Sequence, residues 1–108
     1  MNFSKSIMRV FEVRAHPDKA DALRQKLAKT SVSVVEGKPG NLGYFFGEQS
    51  SSDGNDFVFI SFWEDMEAIK TYFGKGWEES YLPPGYAELI ETCSIKHFEF
   101  DGKLHPKA

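Results

Sequence analysis

The stretch FVFISFWED spans residues 57–65, and six of its first seven residues are large and apolar. Because successive residues of a β-strand point to opposite faces, a strand here would be apolar on both faces. Only Ser61 interrupts the run. One face would present Phe57, Phe59 and Trp63, and the other would present Val58, Ile60 and Phe62. A strand of this kind needs cover on both sides.

One helix is predicted before this strand in the sequence, and a second is predicted directly after it. From Asp18 to Glu36, apolar and small residues recur at steps of three or four, the spacing of one helix face, and Gly37 follows as a stop signal. These residues are Ala20, Leu23, Leu27, Ser31 and Val34. After the strand, Asp65 can cap a second helix. Its apolar stripe is Met66, Ile69, Phe73 and Trp77, and Gly74 and Gly76 are expected to weaken the helix before Trp77.

Three further segments predict strands, namely residues 7–14, 42–49 and 93–100. The polar loop SSSDGND, residues 50–56, would join the second strand to the third as a hairpin. A short helical piece is expected over residues 86–91, and the polar tail 101–108 is expected to be loose. The resulting order, β-α-β-β-α-β, predicts a ferredoxin-like α+β fold, in which a four-stranded antiparallel sheet has both helices on one face.

The other face of that sheet has no helix to cover it. An antiparallel sheet with one solvated face normally alternates apolar and polar residues, but residues 57–63 do not. An exposed apolar face of this size indicates an interaction surface. Most soluble oligomers are symmetric homodimers. We therefore expect a second copy to cover the face, which gives a dimeric α+β barrel.

Composition excludes several functional classes. The formal net charge is −3, with no basic run, so nucleic-acid binding is not expected. No apolar run is long enough to cross a membrane, and the first residues do not resemble a signal peptide. The single Cys93 excludes an internal disulfide and a multi-cysteine metal site. We expect one cytoplasmic domain over residues 1–108, with its core at about 7–100.

Two motifs link the chain to a known family. The segments EGKPGNLGYFFGEQ, residues 36–49, and FVFISFWEDMEAIKTYF, residues 57–73, together with the order of elements, resemble the antibiotic biosynthesis monooxygenase family of dimeric α+β barrels. This resemblance extends over about residues 7–100. It implies a substrate pocket between the sheet and the second helix of each protomer. It also implies a homodimer whose last strands exchange or extend edges.

The family includes oxygenases that oxidise quinols or anthrone-type polyketides with O₂ and without a metal or flavin, and it also includes haem-degrading enzymes. In the haem-degrading branch a His downstream of the strand-terminal Trp binds the iron. The corresponding position here is Leu82, which cannot coordinate iron. The Trp that distorts the porphyrin in that branch corresponds to Tyr72, and the first-strand Asn corresponds to Phe11 or Glu12. The resemblance therefore disfavours haem degradation.

A cofactor-independent oxygenase needs an apolar cavity lined by rings, a partner for a phenolic oxygen, and exclusion of water. The predicted catalytic residues are His97, as a base, and Tyr72, whose hydroxyl could point into the cavity. The alternatives are a surface or dimer-edge His and a partly exposed Tyr. No metal and no cofactor is expected. The second functional hypothesis is a non-catalytic dimer that binds a small molecule or supports a partner enzyme.

Six further residues are predicted to bind a small hydrophobic aromatic ligand. Trp63 would either line the cavity or fill the core. Arg9 would bind an oxyanion or a carboxylate, or form a salt bridge across the dimer. Trp77 and Tyr81 would belong to a lid, or would pack under the Pro83-Pro84 turn. The set is Arg9, Phe59, Ser61, Trp63, Trp77 and Tyr81.

Overall fold

A computed structural model describes residues 6–50 and 54–100. It contains one antiparallel sheet of four strands, β1 (Ser6–Ala15), β2 (Asn41–Glu48), β3 (Asp56–Trp63) and β4 (Ile90–Phe100). The strand order is β2-β3-β1-β4, so the hairpin strands β2 and β3 are neighbours, and β2 and β4 are the two edge strands. The ferredoxin-like α+β fold predicted from the order of elements is confirmed.

The first helix has three parts. The helix α1 (Ala20–Lys26) continues through a π-helical turn, Leu27–Ser31, into the short helix α2 (Val32–Val35). A π-turn leaves a backbone carbonyl without its usual helical partner. Here the buried Tyr86 hydroxyl donates to the Lys26 carbonyl at 2.8 Å, and Ser31 Oγ lies 2.7 Å from the same hydroxyl. The tyrosine therefore stabilises the turn.

The second helix, α3 (Met66–Phe73), begins as the sequence predicts. The Asp65 carboxylate accepts a hydrogen bond from the Ala68 backbone N–H at 2.9 Å, which satisfies one free donor of the first turn. The helix ends before Trp77, where the two glycines were expected to weaken it, because Gly74 adopts φ 72°.

Two other boundaries differ from the prediction. The helical piece expected over residues 86–91 is a single 3₁₀ turn, Ala87–Leu89, and Ile90 and Glu91 already belong to β4. The hairpin between β2 and β3 is present, but residues 51–53 of its connection lie outside the described residues. The tail 101–108, predicted to be loose, also lies outside them.

Both helices pack on one face of the sheet. The core between them contains Leu23 and Leu27 from the first helix, Ile69 from α3, and Trp63 from β3, all without measurable exposure. Gly40 permits the closest approach of the β2 side to α3. A Cβ atom at Gly40 would lie 2.5 Å from Ala68 Cβ, and its φ of +85° also favours glycine.

The opposite face of the sheet has no covering element among the described residues, and it is apolar over one half. Phe62 packs edge-on against Phe45 at 5.5 Å and against Phe100 at 5.2 Å between ring centroids. Phe45 is 61% exposed and Phe98 is 46% exposed. We call this surface the open face. Its apolar members are Met8, Val10, Phe45, Val58, Ile60, Phe62, Phe98 and Phe100.

No helix within the described part of the chain has the length and apolar character required to cross a bilayer.

Candidate functional site

A small cavity of about 40 Å³ lies between the sheet and the helices. Strands β1, β3 and β4 form its floor, the end of the first helix and Phe73 form its sides, and the irregular segment after α3 closes it. Its lining residues are Arg9, Phe11, Ser31, Val34, Val35, Phe59, Ser61, Phe73, Tyr81, Pro83 and Ile95. Four of the eight predicted site residues therefore line one cavity, namely Arg9, Phe59, Ser61 and Tyr81.

Arg9 projects from the centre of β1 towards the helices and is only 4% exposed. Its Nη1 donates to the Trp77 carbonyl at 2.6 Å, and its Nη2 donates to the Glu79 carbonyl at 3.1 Å. The guanidinium carbon lies 3.9 Å from the centre of the Phe73 ring, a cation–π contact. These contacts attach the segment after α3 to the sheet.

Within the described residues, no carboxylate forms a salt bridge with the buried charge of Arg9. The salt bridges among residues 6–50 and 54–100 involve other cations, namely Arg14, Arg24 and Lys96. Burial lowers the pKa of Arg9 to about 10, so the side chain is still protonated at neutral pH. A buried charge is costly unless opposite charge or hydrogen bonds compensate it. Here two carbonyl dipoles and an aromatic ring supply the compensation.

Next to Arg9 across the β1–β4 pairing is His97. Arg9 Nη1 lies 3.0 Å from His97 Nε2. A guanidinium has no acceptor, so Nε2 accepts this hydrogen bond and the ring proton of the neutral imidazole is on Nδ1. Burial, and secondarily the charge of Arg9, lower the pKa of His97 below its usual value. His97 does not itself line the cavity.

Tyr72 of α3 is 37% exposed, and its hydroxyl donates to the Val34 carbonyl at the end of the first helix. Its ring stacks on Trp63, with 5.8 Å between centroids. Burial, and secondarily Tyr81, raise the pKa of Tyr72, which disfavours its phenolate form. The hydroxyl thus links the two helices, and the side chain is not part of the cavity lining.

Trp63 is completely buried and packs in the core, with Phe73 at 5.7 Å. Its Nε1 donates to Ser61 Oγ at 2.9 Å. Since Ser61 accepts this hydrogen bond, its own O–H group is left to donate. Trp63 therefore contributes to the cavity through Ser61, which lines it directly.

The irregular segment 77–85 follows α3 and closes the cavity. Tyr81, 55% exposed, lines the cavity and packs near Phe73 at 6.4 Å. Trp77 contributes its carbonyl to Arg9, while its ring lies 5.4 Å from the His97 ring, away from the cavity. The predicted lid residues are thus both in the closing segment, and only Tyr81 faces the space.

Several lining residues were not among the predicted site residues. Ser31 stands on the apolar stripe of the first helix, and a hydroxyl at a core position was the signal that could have identified it. Phe73 lies on the stripe of the second helix and gave no such signal. The others are apolar residues that look like ordinary core in the sequence: Phe11, Val34, Val35, Pro83 and Ile95.

The cavity therefore combines one cation and three hydroxyl groups with an apolar wall that includes three Phe rings. Among the described residues, no group of three or more His, Cys, Asp or Glu side chains could hold a metal ion. The arrangement can exclude water and stabilise an anionic oxygen.

The chain is similar to a known protein family and to several solved structures. A family model for antibiotic biosynthesis monooxygenases matches residues 6–76. The chain belongs to this family. The match includes Arg9, Phe59, Ser61, Trp63 and Tyr72, and it ends one residue before Trp77. No curated protein sequence matches the chain.

Solved structures of this fold cover nearly all of the chain. Protein PA3566 from Pseudomonas aeruginosa is 20% identical with a TM-score of 0.72, over 93% of this chain and 98% of that one. Protein SO0527 from Shewanella oneidensis is 18% identical with a TM-score of 0.68, over 91% and 93%. A mutant of SnoaB, a cofactor-independent oxygenase from Streptomyces nogalater, is 20% identical with a TM-score of 0.66, over 93% and 97%. At identities of 18–20%, these similarities show that the chain shares the fold of the three proteins.

Proposed function

We propose that this chain is a cofactor-independent monooxygenase that oxidises a small hydrophobic phenolic, quinol or polyketide-like substrate with O₂. The observation that supports this most directly is the Arg9 guanidinium, buried in the wall of an otherwise mostly apolar cavity. A cation in such a place stabilises an electron-rich oxyanion and the superoxide formed from O₂, because water does not screen it. Membership of the monooxygenase family agrees with this chemistry.

The proposed reaction of an anthrone-type substrate converts a ring CH₂ group to C=O. The substrate enolate passes one electron to O₂, and the resulting radical and superoxide combine to form a carbon–oxygen bond. After protonation, the hydroperoxide loses its remaining C–H proton while the O–O bond breaks, and water leaves. One oxygen atom enters the product and the other becomes water. The protein orients the ring, excludes solvent and holds the anionic oxygen.

The proposed roles of the site residues follow from their contacts. Arg9 and the Ser61 hydroxyl hold the substrate oxygen, and Phe59 and Tyr81 contact its ring. Trp63 positions Ser61, and the Trp77 carbonyl positions Arg9. The catalytic roles of His97 and Tyr72 stay predictions. Their contacts favour positioning roles, because His97 accepts from Arg9 and Tyr72 connects the two helices.

A ring-sized ligand requires the cavity to enlarge. Pockets for such ligands have volumes of roughly 300 Å³ or more, compared with about 40 Å³ here. The wall formed by Tyr81 and the segment 77–85 is the one part that is not regular secondary structure. We propose that substrate binding displaces the part of this wall around Tyr81, while the Trp77 and Glu79 carbonyls keep their hydrogen bonds to Arg9.

The proposed functional unit is a homodimer that buries the open face. Phe45, Phe62 and Phe98 would then lie between the two sheets. Since the cavity lies on the helix side of the sheet, each protomer would contain its own complete site.

Oxygen uptake tests this function. The purified protein, treated with a chelator and free of flavin, is mixed with a panel of quinols and anthrones. Substrate-dependent oxygen consumption with one ¹⁸O atom from labelled O₂ in the product is expected. If no member of the panel is turned over while aromatic ligands still bind, the second candidate is favoured.

That second candidate is a non-catalytic dimer that binds a small aromatic molecule. It is favoured by one observation: none of the described side chains that line the cavity can accept a proton from a neutral substrate. A binding protein needs no such group. Turnover with any substrate of the panel would contradict it.

A further inference from the structure

The cavity lining contains a cation but no base. Its polar side chains are Arg9, Ser31, Ser61 and Tyr81, and the remaining residues of the lining are apolar. Neither a guanidinium nor a neutral hydroxyl group accepts a phenolic proton at neutral pH. A neutral phenol or enol that enters this space would therefore keep its proton.

Three titratable side chains beside the lining are already engaged. The Tyr86 hydroxyl, which lies 2.7 Å from Ser31 Oγ, donates to the Lys26 carbonyl. The Nε2 lone pair of His97 accepts a hydrogen bond from Arg9, and the other ring nitrogen is protonated. The Tyr72 hydroxyl donates to the Val34 carbonyl at the end of the first helix. The structure therefore offers no described side chain that could generate the anion inside the cavity.

Arg9, by contrast, still has capacity to bind an anion. Its contacts with the Trp77 carbonyl, the Glu79 carbonyl and His97 use three of its N–H groups. A guanidinium has five such groups, so the described contacts leave one on Nε and one on Nη2. Hydrogen bonds from a cation to an anionic oxygen are about twice as strong as neutral ones.

A second donor is placed beside the first. Ser61 is paired directly with Arg9 across the β1–β3 ladder. The Trp63 indole N–H donates to Ser61 Oγ, and no contact among the described residues uses the Ser61 hydroxyl hydrogen, which can therefore donate to a ligand. Two donors on adjacent strands, with Phe11 and Phe59 beside them on the same strands, suit a flat ring with an anionic oxygen on its edge.

We propose that the cavity selects ligands that are already anions at neutral pH, namely phenols and enols acidified by a conjugated carbonyl group, and that Arg9 is the residue that selects them. This proposal takes the aromatic substrate class from the proposed function. The selection itself depends only on binding. It applies equally to an oxygenase and to a non-catalytic binding protein.

A pair of ligands with nearly equal shape tests the selection. The hydroxynaphthoquinone lawsone is an anion at neutral pH, and the corresponding aminonaphthoquinone is neutral. Isothermal titration of the full chain with each compound is expected to show at least about tenfold tighter binding of lawsone. Equal affinity, tighter binding of the amine, or no binding of either compound would overturn the proposal.

Two variants assign the effect to Arg9. Arg9→Met is expected to reduce the preference for lawsone to less than about threefold. Arg14→Met removes the same charge from the same strand but lies outside this cavity, so it should keep the full preference. A preference that survives in folded Arg9→Met, as judged by circular dichroism, would also overturn the proposal. If Arg9→Met does not fold, the ligand comparison on the unmodified protein still decides.

The outcomes separate this proposal from the proposed function. A preference for lawsone without oxygen uptake from any quinol or anthrone would support anion selection and contradict the oxygenase. Oxygen uptake without any preference for the anion would support the oxygenase and contradict anion selection.

Discussion

Arg9 Nη1 and His97 Nε2 lie 3.0 Å apart across the β1–β4 pairing, so a buried cation donates a hydrogen bond to a partly buried imidazole. The arrangement requires a neutral histidine, because a protonated ring would place two positive charges in contact. Burial and the charge of Arg9 both lower the pKa of His97. In the unfolded chain the same histidine has an ordinary pKa of about 6.5.

This difference predicts how stability depends on pH. Between the lowered pKa of the folded state and about 6.5, the unfolded chain binds a proton that the folded chain does not, so the free energy of unfolding falls as the pH decreases. Above about 6.5 the contribution is complete and constant. His97→Gln keeps an acceptor for Arg9 and cannot titrate. Urea unfolding at about pH 7.5 and about pH 5.5 should show a smaller loss for the variant.

The unmodified protein and His97→Gln have the same carboxylates. The difference between their losses of unfolding free energy on acidification therefore reports on His97. His16 is exposed and remains in both. If His97→Gln loses as much stability on acidification as the unmodified protein, the contact with Arg9 does not favour the neutral form of His97 in the folded state.

Tyr72→Phe distinguishes a structural role from a catalytic one. The substitution removes the hydroxyl that donates to the Val34 carbonyl and keeps the ring that stacks on Trp63. We expect the free energy of unfolding to fall by about 1 kcal/mol, with kcat for oxygen uptake changed by less than about threefold. A variant of unchanged stability whose kcat falls by about a hundredfold or more would identify Tyr72 as a catalytic acid or hydrogen-bond donor.

The fold could be predicted from sequence because its signals are local or periodic. The unbroken apolar run of β3 and the helical spacing from Ala20 to Val34 each indicate one element, and the Asp65 cap was confirmed. Gly74 and Gly76 indicated that α3 weakens before Trp77, and Gly74 at positive φ ends the helix there, although Trp77 fits the helical spacing. The π-turn depends on Tyr86, whose side chain arrives from a distant part of the chain, so no local pattern could indicate it.

Less of the site than of the fold could be predicted from the sequence, because the site depends on side-chain contacts between residues that are distant in the chain. Alternation correctly placed Arg9, Phe59 and Ser61 on strand faces that meet at the cavity. It could not show that Arg9 reaches the backbone of residues 77 and 79, or that His97 gives its lone pair to Arg9. These contacts depend on the path of the segment after α3 across the sheet. The glycines and prolines of this segment indicate a turn but do not specify that path.

Tyr81→Ala tests whether the segment 77–85 controls access to the cavity. The side chain forms part of the cavity wall and is half exposed, so its removal should open the space. We expect the association rate of lawsone, measured by stopped-flow quenching of Trp fluorescence, to rise at least about threefold. Tyr44→Ala removes a tyrosine that lies outside the cavity lining and serves as the control. An unchanged rate for Tyr81→Ala would show that ligands enter elsewhere.

Gly40 and Gly37 form a matched pair for measuring the contact between the β2 side and α3. Both have positive φ, +85° and +75°, so alanine introduces similar backbone strain at each. At Gly40 the new Cβ would lie 2.5 Å from Ala68 Cβ and within 4 Å of Ala68 Cα and Trp63 Cε3, whereas at Gly37 it would have no atom within 4 Å. Gly40→Ala should therefore lower the free energy of unfolding by about 1–3 kcal/mol more than Gly37→Ala. Equal losses in urea unfolding would mean that α3 moves aside at little cost.

The open face leads to the last prediction, which concerns assembly. Phe45 is 61% exposed in one protomer and lies beside Phe62, so its replacement should affect a dimer much more than the fold of the protomer. In a two-fold symmetric dimer every substitution occurs twice. Phe45→Lys would therefore place two ammonium groups in one apolar interface, where unpaired charge is costly.

Light scattering during size-exclusion chromatography should show a dimer of the unmodified protein and a monomer of about 12 kDa for Phe45→Lys. The control, Ala22→Lys, adds the same charge at an exposed position of α1 on the other side of the molecule, and it should remain dimeric. If the unmodified protein is a monomer, or if both variants remain dimers, the open face is not the dimer interface. The apolar rings of β3 would then require a different partner.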